Sequence, residues 1–160
     1  MNLQFNIGKI ESQKHHLLHN LDEAQKGIKD YKSFAKSTIP LMGGRPISFQ
    51  VFDPSDVERQ AREITSWGEN VYVKIPVVNS KGKFTGSVIE ELSNKGIKLN
   101  ITAVYNAKQT KNILNKINKK TKVIISIFAG RMADSGKDPI PEFKKSIKLS
   151  KKFKNVEILW

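Results

Sequence analysis

The sequence contains no cysteine among its 160 residues. This absence excludes disulfide bonds, thiol nucleophiles and thiolate metal sites. The sequence also lacks any apolar run approaching the roughly 20 residues that a membrane-spanning helix requires. Its first residues lack the charged start and apolar block of a signal peptide. We therefore expect a cytoplasmic protein that does not associate with a membrane.

Arginine is scarce although the chain is strongly basic. Lys and Arg together number 28 against 15 acidic residues, giving a net charge of +13, and only four of the basic residues are Arg. Nucleic-acid readers usually cluster Arg or aromatic residues with their charge. The lysine clusters here, residues 119–122 and 151–154, fall near predicted helix ends, where they complement the helix dipole. We favour a solvated lysine-rich surface and no nucleic-acid partner, with a basic anion- or RNA-binding α/β domain as a weaker alternative.

Short apolar runs rich in Val, Ile and Phe recur along the chain at helix-sized intervals. They predict five strands, at residues 46–52, 71–77, 98–105, 122–128 and 156–160. Helical patterns occupy residues 30–42, the stretch that starts at residues 53–56, residues 85–95 with Gly96 as the stop, the stretch capped by Asn106, and residues 139–153. Strands alternating with single helices predict a parallel α/β sheet with right-handed crossovers. Open sheets and barrels share this pattern.

Polar residues follow one side of four predicted strands. Side chains alternate between the faces of a strand, so each strand has an aliphatic face opposite a face that carries a polar residue. On the third strand the aliphatic face is expected to hold Leu99, Ile101 and Ala103. An unpaired buried polar group costs roughly 1 to 3 kcal/mol. Polar residues that recur on the same face of four strands therefore predict a polar pocket such as a barrel lumen. This polar face gathers Gln50, Lys74, Asn100, Thr102 and Ser126.

Lys74 is the nucleophile candidate on the polar face. A single strand lysine more commonly protects a sheet edge from aggregation. That interpretation does not explain why neighbouring strands carry polar residues at matching positions. Desolvation disfavours the charged form of a lysine and frees its amine to attack a carbonyl carbon. The pattern therefore favours Schiff-base chemistry at Lys74.

Several segments match a known family in order and spacing. They are Pro46-Ile-Ser-Phe-Gln-Val-Phe52, Ala61-Arg-Glu-Ile64, Trp67-Gly-Glu-Asn-Val-Tyr-Val-Lys-Ile-Pro76, Gly96-Ile-Lys-Leu-Asn-Ile-Thr-Ala103, and Ser126-Ile-Phe-Ala-Gly-Arg131 with Asp134. Over residues 27–160 the sequence resembles the transaldolase family, particularly its smaller members related to fructose-6-phosphate aldolase. The resemblance implies an α/β fold, a partial (β/α)8 TIM barrel of about five strands. We expect this incomplete barrel domain over residues 26–160, after a helical segment, residues 1–25, outside the resemblance.

The resemblance also implies a reaction and roles for the polar residues. Family members transfer a dihydroxyacetone unit between sugar phosphates through a lysine Schiff base, without a metal or an organic cofactor. Lys74 matches the nucleophile, Gln50 a proton-transfer position, and Asn100 and Thr102 match residues that hold the intermediate and the catalytic water. The expected substrate-binding residues are Ser126, Phe128 and Arg131, with the Arg fork suited to a phosphate.

Two departures from the family pattern bear on activity. Transaldolases usually carry Glu where this chain has Gln50, and Gln cannot act as an acid or base. Aldolase-like relatives do have Gln at this position. They pair it with a Tyr, however, and this chain has Phe128 in place of that Tyr. The family's first two strands have no match in residues 1–25, and 160 residues are fewer than the roughly 250 of a complete barrel. A truncated, inactive relative acting as a folding or interaction module is therefore the alternative hypothesis.

Remaining polar clusters favour structural roles. His15 and His19 are spaced as an i, i+4 pair, but no acidic or thiol ligand accompanies them, so we expect no metal site. Asp53 and Asp56 suit a helix start better than a catalytic carboxylate pair. Homo-oligomers are compatible with the sequence, which does not specify them.

Overall fold

The computed structural model describes residues 31–51 and 56–160. The predicted N-terminal segment with its histidines, the domain boundary after residue 25, and Asp53 lie outside these ranges. The chain divides into two units between Thr38 and Ile39. Of the first unit, the structure describes helix α1, Tyr31–Thr38.

The predicted helix over residues 30–42 is two elements. The α-helix ends at Thr38, and a 3-10 helix, Ile39–Met42, follows. Pro40 explains the change, because proline has no backbone N–H and disfavours the α conformation in the residue before it. Gly43 then donates its N–H to the Pro40 carbonyl at 3.2 Å, and its φ of 56° ends the helical path.

Five parallel strands form one sheet in the order of the sequence. They are β1 (Ile47–Gln50), β2 (Val71–Pro76), β3 (Leu99–Val104), β4 (Val123–Ile127) and β5 (Val156–Leu159). Each strand pairs with the next one along the chain. Right-handed crossovers in an unbroken order place the connecting helices on one side of the sheet. This arrangement confirms the α/β prediction and matches an arc of a barrel.

The helices of this unit are α2 (Val57–Thr65), α3 (Gly86–Asn94), α4 (Ala107–Leu114), α5 (Ala129–Asp134) and α6 (Ile140–Ser150). Helices of this unit contact each other in two places. Lys95 after α3 pairs with Glu58 of α2, and buried Thr110 of α4 hydrogen-bonds Ser146 of α6 at 2.9 Å. Helix α5 was not predicted, because it is one short stretch directly after β4 and contains Gly130, a poor helix former.

The helix boundaries predicted at Asp56, Gly96 and Asn106 are confirmed. Asn106 accepts a hydrogen bond from the Gln109 N–H at 2.9 Å and so caps α4. Gly96 has a φ of 77° after α3, as its role as a stop requires. Asp56 stands at the N-cap position of α2 but makes no capping hydrogen bond. Its carboxylate pairs with Arg59 instead.

The aliphatic faces of the strands form the core beneath the helices. Val73, Leu99, Ile101 and Ile125 have essentially no exposed surface. Ile89 of α3 is equally buried. The predicted division between an aliphatic and a polar face is therefore confirmed for the central strands.

One prediction about β3 is wrong. Ala103 was expected on the aliphatic face, but it is half-buried, has a φ of 61° and lies in a bulge. Ile101 pairs with Ile125 and Val104 pairs with Ile127, so two residues of β3 oppose Ser126 alone. Val104, fully buried, takes the place on the aliphatic face. Sequence alternation cannot show an inserted residue, because a bulge shifts the pattern by one from that point onward.

Candidate functional site

The pairing register of β1, β2 and β3 aligns three residues of the polar face. Gln50 of β1 pairs with Lys74 of β2, and Lys74 pairs with Asn100 of β3. Paired residues of parallel strands project to the same side of a sheet. The three side chains therefore form one row, with Lys74 in the middle.

Asn100 is the centre of a hydrogen-bond chain on this face. Its amide nitrogen donates to the Ser48 hydroxyl at 2.9 Å, and its carbonyl oxygen accepts from the Ser126 hydroxyl at 2.8 Å. Ser48 lies on β1 and Ser126 on β4, so these two hydrogen bonds connect β1 to β4 and pass over β2. This fixes the amide orientation of Asn100, which is 6% exposed, beside the lysine.

The Lys74 amine has neither a hydrogen bond nor an ion pair within residues 31–51 and 56–160. Its side chain is half-buried, between Gln50 and Asn100. Both neighbours of Lys74 in the row are neutral amides.

Thr102 and Ser126 lie nearer the carboxyl ends of the strands. Thr102 is 5% exposed, and its buried hydroxyl has no hydrogen-bond partner in the part of the chain that the structure describes. Buried hydroxyls without partners are uncommon and indicate a place for water or a ligand. The bulge at Thr102 and Ala103 lies at the same level.

Phe128 and Arg131 follow β4 at this carboxyl edge. The Phe128 ring is half-buried and meets Tyr105 edge to face, with centroids 5.8 Å apart. Arg131 is exposed on α5, and its guanidinium makes no hydrogen bond or ion pair with the described residues. The structure therefore brings Gln50, Lys74, Asn100, Thr102 and Ser126 to one face and places the other two predicted residues at its rim.

Sequence reasoning omitted three side chains of this face from the candidate site. Ser48 anchors Asn100. Tyr72 lies two residues before Lys74 on the same side and is 5% exposed. Glu157 of β5 pairs with Ile124, which pairs with Asn100. Burial raises the pKa of the Tyr72 phenol, and the Glu157 carboxylate raises this pKa further. The period-two pattern of β5 would have placed Glu157 on the polar face.

A cavity of about 370 Å³ lies at the carboxyl ends of β1 and β2, where Val57 of α2 and Val88 of α3 also line it. Gln50 and Pro76 line it on the strand side, and Lys83, Thr85 and Ser87 line it on the other. Lys74 is not among its lining residues. The loop beyond β2 shapes this cavity, because Val78 pairs with Phe84 as an antiparallel bridge.

Comparison with known proteins identifies the family of this arrangement. A family model described as transaldolase/fructose-6-phosphate aldolase matches residues 10–160. The chain belongs to this family. The match begins within residues 1–25, the segment for which the sequence showed no resemblance.

Curated relatives of this transaldolase-family chain agree with the family model. A probable transaldolase from Dehalococcoides mccartyi is 33% identical over 117 residues, covering 72% of this chain and 50% of the relative. Probable transaldolases from Methanococcus maripaludis and Streptococcus equi subsp. zooepidemicus are each 33% identical, covering 71% and 69% of this chain. They are covered over 50% and 49% of their own length, so the chain spans about half of these relatives.

Residues 31–51 and 56–160 of this family member contain neither a metal-binding cluster nor a helix that could cross a membrane. No cluster of three or more His, Asp or Glu side chains there could hold a metal ion. No helix there has the length and apolar character to span a bilayer.

Proposed function

We propose that this chain forms a Schiff base with the keto carbon of a sugar phosphate through Lys74, as a transaldolase or aldolase. The observation that carries the proposal is the row of Gln50, Lys74 and Asn100 in register on the polar face. Family membership supports it, because curated relatives are named as probable transaldolases.

The proposed reaction begins when the Lys74 amine attacks the C2 carbonyl of the ketose. The resulting carbinolamine loses its hydroxyl as water and leaves an iminium ion. This cation accepts the electron pair of the C3–C4 bond when that bond breaks and the C4 hydroxyl gives its proton to water, so an aldehyde leaves and a three-carbon enamine stays on the lysine. Transfer to an aldose acceptor reverses these steps with a new carbonyl.

Neighbouring groups suit a supporting role in these steps. Asn100, fixed by Ser48 and Ser126, can hold a hydroxyl of the bound sugar in one orientation. The unpartnered Thr102 hydroxyl can hold the water that leaves and returns. Gln50 can position a water but cannot exchange a proton with it. Arg131, which has no partner among the residues that the structure describes, suits the phosphate.

Borohydride trapping tests the proposal directly. The protein is incubated with fructose 6-phosphate or dihydroxyacetone and then reduced, and the modified residue is located by mass spectrometry. We expect one stable adduct on Lys74, absent from Lys74→Met. Lys122→Met, which removes another strand-flanking lysine, should trap normally.

Absence of a Lys74 adduct in a folded sample would overturn the proposal and favour an inactive relative. Adducts spread over many lysines would overturn it too. Circular dichroism of each variant separates these outcomes from a failure to fold.

A further inference from the structure

We infer that Tyr105 is a substrate-binding residue of the polar face and that it recognises the part of a ketose phosphate beyond the three carbons held on Lys74. The inference rests on the proposed Schiff-base function. Tyr105 is not among the residues to which the family resemblance gave a role.

The bulge in β3 determines where Tyr105 points. Without it, Tyr105 would share the aliphatic face with Leu99 and Ile101. The register shift puts Val104 on that face, opposite Ile127 and fully buried. The next side chain, Tyr105, is therefore turned toward the polar face. Bulges beside active sites commonly re-aim a side chain in this way.

The bulge contains a residue with a strained backbone. Ala103 has a φ of 61°, the one positive φ outside glycine in the described ranges. This conformation is unfavourable for a residue with a Cβ and persists only where the surrounding structure requires it. Strain of this kind is concentrated at functional sites.

The backbone of Tyr105 is held on both sides. Its N–H donates to the Gln109 side chain at 2.7 Å, and the next residue, Asn106, caps α4. The Phe128 ring packs edge to face against the Tyr105 ring, with centroids 5.8 Å apart. Fixed neighbours thus position the ring at the rim.

The phenol hydroxyl has no hydrogen-bond partner in residues 31–51 and 56–160, and the side chain is 42% exposed. Tyr105 follows the carboxyl end of β3. It lies five residues beyond Asn100, the residue of β3 that pairs with Lys74. A strand rises about 3.3 Å per residue. The phenol therefore suits a hydroxyl distant from the lysine carbon, and an exposed amphipathic ring is a common sugar-binding element.

The test compares two probes that differ in length. Trapping at Lys74 is measured against the concentration of fructose 6-phosphate and, separately, of dihydroxyacetone. In Tyr105→Phe the ring stays against Phe128 and only the hydroxyl is lost. We expect the half-saturating concentration of fructose 6-phosphate to rise about threefold to tenfold, the effect of one lost hydrogen bond, with that of dihydroxyacetone unchanged.

Tyr31→Phe removes a phenol hydroxyl from α1 and is the matched control, with wild-type values expected for both probes. Equal shifts for both probes in Tyr105→Phe, or no shift, would overturn the inference while leaving the Schiff base intact. Failure of the wild-type chain to trap either probe would overturn the proposed function, and this inference with it.

Discussion

At the scale of single residues, Lys74 and Asn100 show how far a sequence pattern reaches. Alternation placed both on the polar face, and the register confirms it. Their roles in catalysis stay predictions. The hydrogen bonds that Asn100 makes to Ser48 and Ser126 could not be predicted, because they join strands β1 and β4 across an intervening strand.

The first residue-scale prediction concerns Asn100. Asn100→Ala leaves the Ser48 and Ser126 hydroxyls without their partner on a partly buried face. We expect a loss of roughly 1 to 3 kcal/mol in the free energy of unfolding, measured by urea denaturation, together with slower trapping at Lys74. Asn94→Ala, at the end of α3, is the control, and equal losses in the two variants would contradict this account.

The second residue-scale prediction concerns Ala103. Glycine adopts a positive φ without a Cβ penalty, so Ala103→Gly should keep wild-type stability or gain slightly. Valine there should cost about 1 to 2 kcal/mol, because a β-branched residue fits this backbone poorly. Thermal unfolding of both variants measures the difference. A valine variant as stable as the glycine variant would argue against the bulge.

At the scale of elements, helix boundaries followed local chemistry where that chemistry was strong. Asn106 and Gly96 behave as expected. Asp56 does not cap α2, because Arg59 on the next turn competes for its carboxylate. Local signals also could not show that α4 is capped a second time, by Glu142 of α6, which accepts from the Ala107 N–H at 2.7 Å.

This second cap gives the element-scale prediction. The Lys145 ammonium and the Ala107 N–H lower the pKa of Glu142 below its ordinary value of 4.5. A carboxyl whose pKa is lowered by folding stabilises the folded state above its unfolded pKa, and that contribution is lost as the pH falls through the folded value. We expect Glu142→Gln to cost about 0.5 to 1 kcal/mol at pH 7.

The cost of Glu142→Gln should be smaller at pH 3 than at pH 7, because the contribution of the wild-type carboxylate is lost as the pH falls through its folded pKa. Melting temperatures of wild type and variant at both pH values provide the measurement. Glu69→Gln, an exposed carboxylate before β2, should show little difference at either pH. A penalty as large at pH 3 as at pH 7 would rule out the carboxylate as the source.

At the scale of the whole molecule, charge is the dominant feature. A net charge of +13 on 160 residues favours expansion through self-repulsion. Ion pairs such as Lys95 with Glu58 act in the opposite direction, but a pair this accessible to solvent contributes little. We therefore expect melting temperature to rise as NaCl increases toward physiological strength, where the Debye length is about 8 Å.

Reversing the charge of Lys151 and Lys152, which lie after α6, should weaken this salt dependence without affecting the polar face. Differential scanning calorimetry across a salt series compares the two proteins. A melting temperature that falls with salt in the wild type would show that ion pairs outweigh repulsion.

Sequence alone determined the strand and helix alternation, the parallel α/β class, the family, and the side of the sheet that carries Lys74. These follow from periodicity and motif order, which can be read along the linear sequence. Only the tertiary structure decided the bulge at Ala103, the hydrogen-bond chain through Asn100 and the direction of Tyr105. These depend on pairing between strands that are distant in sequence, and a shift of one residue in that pairing reverses the face to which every following side chain belongs.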